Sequence, residues 1–211
     1  SDDLCEMQLH MRVNERGYWE DMCESDIQEE HAFDQRLCEQ IKIFFLGENA
    51  RTVVDLGCGL GNYTEQLNTG NMICDGFDGN PDTPKLTGGR CKVLDLSKQH
   101  KFERQYDWVL SLEVGEHLPK EYEDTFIKNL CDSCVCGVVI SWAIKGQGGM
   151  GHFNEQSNGY VMNKLQSEGF EYDAVSSGML RDNCSLWWFK NTLMVFRSAR
   201  TRSVPHTPGG H

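Results

Sequence analysis

Hydrophobic positions along the chain change their period repeatedly, and each change marks an element. In "DIQEEHAFDQRLCEQIKIFF" (26–45), Ile27, Phe33, Leu37, Ile41 and Phe44 recur at helical spacing, which predicts an amphipathic helix. The next run, "RTVVDLG" (51–57), is short, continuous and apolar, as in a buried strand. "NYTEQLN" then starts a helix, and strand signals recur in "MICDGFDG" (72–79), "CKVLDLS" (91–97) and "YDWVLSLEV" (106–114). "KEYEDTFIKNLCDSC" reads as a helix and "GVVISWA" (137–143) as a fifth strand.

The last third changes order. "NGYVMNKLQSEGF" is helical with Gly169 as its C-terminal stop, and "EYDAVSS" and "WWFKNTLMVFRS" read as two closing strands without a long crossover between them. The alternation predicts an α/β fold: a doubly wound, mostly parallel seven-stranded sheet with an antiparallel terminal hairpin and helices on both faces. Ligands of such a sheet sit at the carboxyl ends of its strands. A single domain over 1–198 is expected, with an N-terminal helical cap segment over about 1–48 and an aperiodic, disordered tail over 199–211.

Composition narrows the partners. A net charge of −12 works against nucleic acid, which is bound mainly through Lys and Arg on phosphates. No apolar run reaches the roughly 20 residues needed to span a bilayer, so a membrane partner is not expected either, and neither is a secretory signal at the start. Several of the ten cysteines (Cys58, Cys74, Cys91 among them) lie inside strand-like runs as small buried hydrophobes, which favours a reducing, cytoplasmic setting. Cys131, Cys134 and Cys136 resemble half of a zinc site, but no second ligand pair stands at a matching spacing.

The densest signal is "VVDLGCGLGNY" (53–63). Gly57, Gly59 and Gly61 follow a strand and precede a helix, so the loop can turn sharply and let a ligand lie against bare main chain. The spacing G-x-G-x-G, with Asn62 after it, fits a dinucleotide fingerprint poorly, and Asp55 beside the loop would attract a cation and repel phosphates. At the end of the second strand, in "GFDGNP", the Asp78 carboxylate can accept both hydroxyls of a ribose, although Asp-Gly and Asn-Pro are also turn signals.

With "DLGCGLG" the chain resembles the class I S-adenosylmethionine-dependent methyltransferases, whose first motif is an acidic residue followed by G-x-G-x-G after the first strand. The resemblance covers roughly residues 50–145. It implies S-adenosylmethionine as cofactor, with Asp55 and the loop of Gly57, Gly59 and Gly61 at its aminoacid part. Asp78, followed by Gly79 and Asn80, falls at its ribose, and Asp95 and Leu96 at its adenine; Asp95 serves equally well as a helix cap. Glu113 would line the same pocket.

Methyl transfer is an in-line displacement, so an enzyme of this kind must align the acceptor, remove its proton where needed and exclude water. "LEVGEHLP" offers Glu116 and His117 for this, or for entry into the next helix, and the glycine-rich loop "SWAIKGQGGMGHFNEQSN" (141–158) offers His152. Asn154 and Gln156 on that loop could read the acceptor. Glu116, His117 and His152 could instead hold a metal, as in some methyltransferases of vicinal hydroxyls, but they do not share one element, and no metal is expected. Tyr18, Trp19 and Trp142, with Trp187 and Trp188, could wall a cationic amine or belong to the core; Phe33 and Asp34, with His31, lie where a cap over the acceptor is expected. The expected activity is methylation of a small molecule, nitrogen slightly ahead of oxygen. The alternatives are a catalytically silent cofactor-binding module acting through a protein partner and, less well matched, a nicotinamide-dependent oxidoreductase.

Overall fold

The computed structural model describes residues 12–20 and 32–200. A small antiparallel hairpin pairs β1 (Arg12–Val13) with β2 (Trp19–Glu20). It turns at Gly17, whose φ of +89° suits glycine. The pattern had placed this stretch in a helical cap, and no hydrophobic periodicity announces strands of two residues each.

The remaining strands, β3 (Thr52–Leu56), β4 (Ile73–Asp78), β5 (Cys91–Val93), β6 (Tyr106–Leu112), β7 (Cys134–Ser141), β8 (Phe170–Tyr172) and β9 (Met194–Ser198), form one seven-stranded sheet. Its order is β5-β4-β3-β6-β7-β9-β8, parallel except for β9, which runs against both β7 and β8. The expected sheet is therefore present.

Helices α1 (Gln35–Gly47), α2 (Asn62–Leu67), α3 (Thr83–Leu86), α4 (Glu123–Asp132), α5 (Asn158–Ser167), α6 (Ala174–Asp182) and α7 (Trp187–Thr192) surround it. Successive strand residues point to opposite faces, and Val53 and Val54 show the result. Val54 packs with Val109 and Val138 beneath Phe126 and Leu130 of α4 and Val161 and Leu165 of α5. Val53 packs with Trp108 and Val139 beneath Leu37, Ile41 and Phe45 of α1, Leu67 of α2, Leu180 of α6 and Phe189 of α7. Each of these aliphatic and phenylalanine side chains contributes roughly 1.5–3 kcal/mol by its burial.

Several boundaries differ from the sequence expectation. Asp34 caps α1 by accepting from the Leu37 N–H at 2.9 Å, so the helix starts at Gln35, while Ile27 and His31 lie outside the described residues. The third expected strand stops at Val93, because Asp95 opens a turn by accepting from the Ser97 N–H at 3.0 Å. The largest correction is at the end. β8 and β9 are antiparallel neighbours, but α6 and α7 stand between them, where "DAVSS" and "WWFKNT" had read as strand. Asp173 caps α6 by accepting from the Ser176 N–H at 2.9 Å, and α7 turns Phe189 inward, so capping and packing override the strand preference of Val and Trp. Arg200, assigned to the tail by its pattern, is tied to Asp132 at 2.8 Å and Glu168 at 3.1 Å. Residues 201–211 lie outside the described residues. No helix among the described residues is long and apolar enough to cross a membrane.

Candidate functional site

The sheet order reverses between β3 and β6, and a crevice opens there beyond the carboxyl ends of the strands. The β3 end is made by the glycine loop. Gly57, Gly59 and Gly61 take φ of +84°, +54° and +73°, a left-handed run that side chains resist, and the Gly57 and Cys58 N–H groups both donate to the Phe77 carbonyl. The loop is pinned from β4, because one Asp78 carboxylate oxygen accepts from the Gly59 N–H and the other from the Asn80 N–H, each at 2.9 Å. Beneath it, Asp55 is buried and accepts from the Thr64 hydroxyl at 2.9 Å. Burial pushes its carboxyl up to about 7, against the lowering effect of that hydrogen bond.

A cavity of about 310 Å³ runs from this loop to the end of β6. Asp55, Gly57, Gly59, Asp78, Gly79, Leu96 and Glu113 line it, as do Tyr18 and Trp19 from the hairpin and His117 and His152 at the far end. Gly79 is needed for close approach: a Cβ there would stand 2.6 Å from Tyr18 ring atoms.

At the end of β6, Glu113 adopts φ +55°, unusual for a residue with a side chain. Its carboxylate accepts from the Gln147 amide at 2.9 Å and the Ser141 hydroxyl at 3.2 Å, while burial raises its pKa. The chain then makes a single 3₁₀ turn over Gly115–His117. This turn fully buries Glu116, and neither carboxylate oxygen has a hydrogen-bond partner. Burial, and after it the neighbouring charge of Glu113, push the Glu116 carboxyl well above its ordinary range.

The loop after β7 folds back on this turn, with the Phe153 and Asn154 N–H groups both donating to the Glu116 carbonyl at 2.9 Å. It brings the His152 ring to 4.9 Å from the His117 ring, edge to face. His117 Nδ1 lies 2.9 Å from the Gly151 carbonyl oxygen, and His152 Nδ1 lies 3.0 Å from the Glu155 carboxylate. Burial of Glu155 works to raise its pKa, but His152 and the Gly148 and Gly146 N–H groups outweigh it and hold the carboxyl below its ordinary value.

Other expected site residues are placed elsewhere. Asn80 is buried in the turn before α3, where its side-chain oxygen accepts from the Asp82 N–H at 2.9 Å. Asp95 faces Arg16 at 2.8 Å and also accepts from the Ser97 N–H and hydroxyl, so Arg16, not Asp95, lines the cavity. Trp142 is core: it is 1% exposed, packs edge-on against Phe126 and donates from Nε1 to the Asn154 carbonyl at 2.7 Å. Asn154 and Gln156 are buried as well. Asn154 donates to Glu123 at 2.7 Å and accepts from Gln156 at 2.7 Å, a network that shapes the loop and does not face the crevice. Asp34 is spent on Leu37, Ser185 and Leu186 N–H groups. Gly61 turns into α2, with Cys91 Sγ 3.0 Å from where its Cβ would stand.

Arg16, Tyr63 and Gln147 line the cavity without having been singled out in the sequence, and Phe33, Trp187 and Trp188 join them. The cysteines among the described residues are all free thiols. Burial raises the Cys131 thiol and pushes Cys134 up to about 12.

No family model matches the sequence, and no curated protein matches it. Solved structures do. A magnesium protoporphyrin IX methyltransferase from Synechocystis with bound SAH aligns over 93% of both chains at 16% identity and a TM-score of 0.61. A sugar N-methyltransferase from Streptoalloteichus aligns over 79% of this chain and 88% of its own at 13% identity and a TM-score of 0.63. A TehB-like SAM-dependent methyltransferase from Corynebacterium glutamicum aligns over 77% and 88% at 18% identity and a TM-score of 0.56. At these identities the likeness establishes the fold: the chain has the Rossmann-like fold of the class I S-adenosylmethionine-dependent methyltransferases.

Proposed function

We propose that the protein is an S-adenosylmethionine-dependent methyltransferase acting on a small molecule in a reducing, cytoplasmic setting. The observation that carries this reading is the left-handed glycine turn at the reversal of the sheet, flanked by the Asp55 and Asp78 carboxylates and bare of side chains where a ligand would lie. The residues suit the cofactor: Asp55 faces the place of a cationic amino group, the Asp78 oxygens keep lone pairs for a ribose, and Leu96 and Tyr18 offer apolar surface to a base. Bound there, S-adenosylmethionine supplies a methyl group on an electrophilic sulfonium.

The chain's own residues hold the loop, exclude water with the aromatic walls of Tyr18, Trp19 and Trp188, and present His117 and His152 at the acceptor end, with Glu116 buried behind them. Oxygen is preferred to nitrogen as acceptor atom, against the sequence expectation. That expectation rested on aromatic and acidic residues together; Trp142 packs into the core while Tyr18, Trp19, Trp187 and Trp188 stay at the cavity, and the two imidazoles at its far end suit an acceptor that must lose a proton. The aromatic lining favours an acceptor with a flat apolar body, and the chain's charge of −12 favours a small molecule over a nucleic acid.

Incubation of the full chain with S-adenosylmethionine and fractionated metabolites, read by mass spectrometry, tests this. Release of S-adenosylhomocysteine with a product one methyl group heavier is expected. Cofactor binding with no product from any fraction would favour a silent binding module.

A further inference from the structure

We propose that Glu116, His117 and His152 bind one divalent first-row transition-metal ion at the acceptor end of the cavity. One carboxylate oxygen and one ring nitrogen from each histidine all lie within 4.8 Å of one another. An ion bonded at about 2.1 Å to such donors holds them roughly 3 to 4 Å apart, a distance reached by small side-chain rotations.

Three further observations point to a cation. The first is the histidine tautomers. A carbonyl or carboxylate only accepts, so the Nδ1 atoms facing Gly151 and Glu155 carry the protons, and a neutral ring then has its lone pair on Nε2. Metal-bound imidazoles are oriented in this way by carbonyl and carboxylate partners. A side chain at Gly149 would crowd that nitrogen of His152, since a Cβ there would stand 2.5 Å from Nε2.

The second is Glu116 itself, fully buried against the neighbouring carboxyl of Glu113, with no donor at good hydrogen-bond geometry on either carboxylate oxygen. A carboxylate in that position is strongly disfavoured unless a proton or a cation joins it. The third is rigidity. The Glu116 carbonyl takes the Phe153 and Asn154 N–H groups, and Glu155 takes those of Gly146 and Gly148, so the loop that carries His152 is strapped to the turn that carries the other two donors.

Two imidazoles and one carboxylate suit Mn²⁺, Fe²⁺, Co²⁺ or Zn²⁺ better than Mg²⁺ or Ca²⁺. Three protein donors leave positions open, and both histidines line the cavity. The site deepens the hydroxyl-acceptor reading and rests on it. An ion here would take the acceptor oxygen and lower its pKa. The hydroxyl proton then leaves to water, an oxygen lone pair forms the new C–O bond, and the C–S bond breaks with its electron pair left on sulfur.

The full chain, stripped with a chelator, is titrated calorimetrically with Zn²⁺, Mn²⁺ or Mg²⁺ alone, and separately with S-adenosylhomocysteine. About one equivalent of Zn²⁺ or Mn²⁺ is expected to bind and raise the Tm, with Mg²⁺ weaker by roughly tenfold or more. Glu116→Gln and His152→Gln are each expected to weaken ion binding by roughly tenfold or more. Circular dichroism checks the fold of the buried Glu116→Gln variant, and His152→Gln at the cavity wall decides if that variant unfolds. Absence of stoichiometric ion binding by the folded wild type, or undiminished binding by His152→Gln, overturns the site and leaves Glu116 as a protonated acid beside Glu113. Binding of S-adenosylhomocysteine without the ion would remove the metal and keep the methyltransferase; ion binding without S-adenosylhomocysteine would do the reverse.

Discussion

A Cβ built on Gly57 would stand 2.2 Å from Cγ2 of Val114, so the first glycine of the loop and the second residue past the end of β6 are in direct contact. The bareness of that loop thus serves its neighbour in the sheet as well as any ligand. With φ at +84°, Gly57→Ala adds backbone strain to this overlap and is expected to destabilise the fold by roughly 1–3 kcal/mol. Thermal denaturation reads the loss. A variant as stable as wild type would contradict the contact.

Asp78 has two duties, since it holds the Gly59 and Asn80 N–H groups and keeps lone pairs toward the cavity. Asp78→Ala removes hydrogen bonds to a charged acceptor, each worth about 1.5–3 kcal/mol, and is expected to weaken S-adenosylhomocysteine binding by roughly 10- to 150-fold. Fluorescence or calorimetric titration measures it, and undiminished affinity would detach Asp78 from the ribose.

Trp142 reads in sequence as either an acceptor contact or core, and the fold places it in the core. Trp142→Phe keeps the ring against Phe126 but leaves the buried Asn154 carbonyl without the Nε1 donor, at about 1–3 kcal/mol of stability. Affinity for S-adenosylhomocysteine is expected to hold. A large fall in that affinity at unchanged Tm would return Trp142 to the pocket.

Arg197 joins α1 to the start of α6, with Nη1 and Nη2 at 2.8 and 2.7 Å from the Glu48 carboxylate and Nε at 2.8 Å from Asp173. The guanidinium holds the Glu48 carboxyl below its ordinary value. At Asp173 burial works upward, but the Ser176 N–H and Arg197 outweigh it, so that pKa is also lowered. A carboxylate with a depressed folded pKa contributes stability that is complete above its unfolded value, near 4, and lost as pH falls through the folded value. The Arg197 side chain is 41% exposed, which limits each pair to about 1 kcal/mol or less. The fall of Tm with acid below about pH 5 is expected to be shallower in Arg197→Met than in wild type. Superimposable acid limbs would contradict the linkage.

The cofactor end was legible in the sequence because its signal is local. "VVDLGCGLGNY" holds the strand, the turn and the helix start within one stretch, and Asp55, Gly57, Gly59 and Asp78 all fall on the cavity wall. The parallel core was legible for a similar reason, β3 and β7 being short, mostly apolar runs and the other parallel strands carrying apolar residues between turn signals. Where burial of polar groups decides the outcome, sequence pattern misled. Asn154 and Gln156 read as loop residues that could close on the acceptor, yet they form a buried network on Glu123. Asp95 read as an adenine contact or a helix cap, and its carboxylate is instead taken by Arg16 of the hairpin and by Ser97. The helices α6 and α7 were hidden by Val175, Trp187 and Trp188, strand-forming side chains of which Val175 and Trp187 turn out to be exposed. Glu116, His117 and His152 were named together in the sequence without an expected metal, because their grouping depends on a loop folding back and not on spacing along one element.

The central claim is that the loop of Gly57, Gly59 and Gly61 receives an adenosyl cofactor. Equilibrium titration of the full chain with S-adenosylhomocysteine tests it most directly, with NAD as the competitor ligand and the Asp78→Ala variant alongside. The account predicts a single saturable site, indifferent to NAD and weakened in the variant. A folded wild type that shows neither heat nor a rise in Tm with S-adenosylhomocysteine, while NAD gives both, would contradict it.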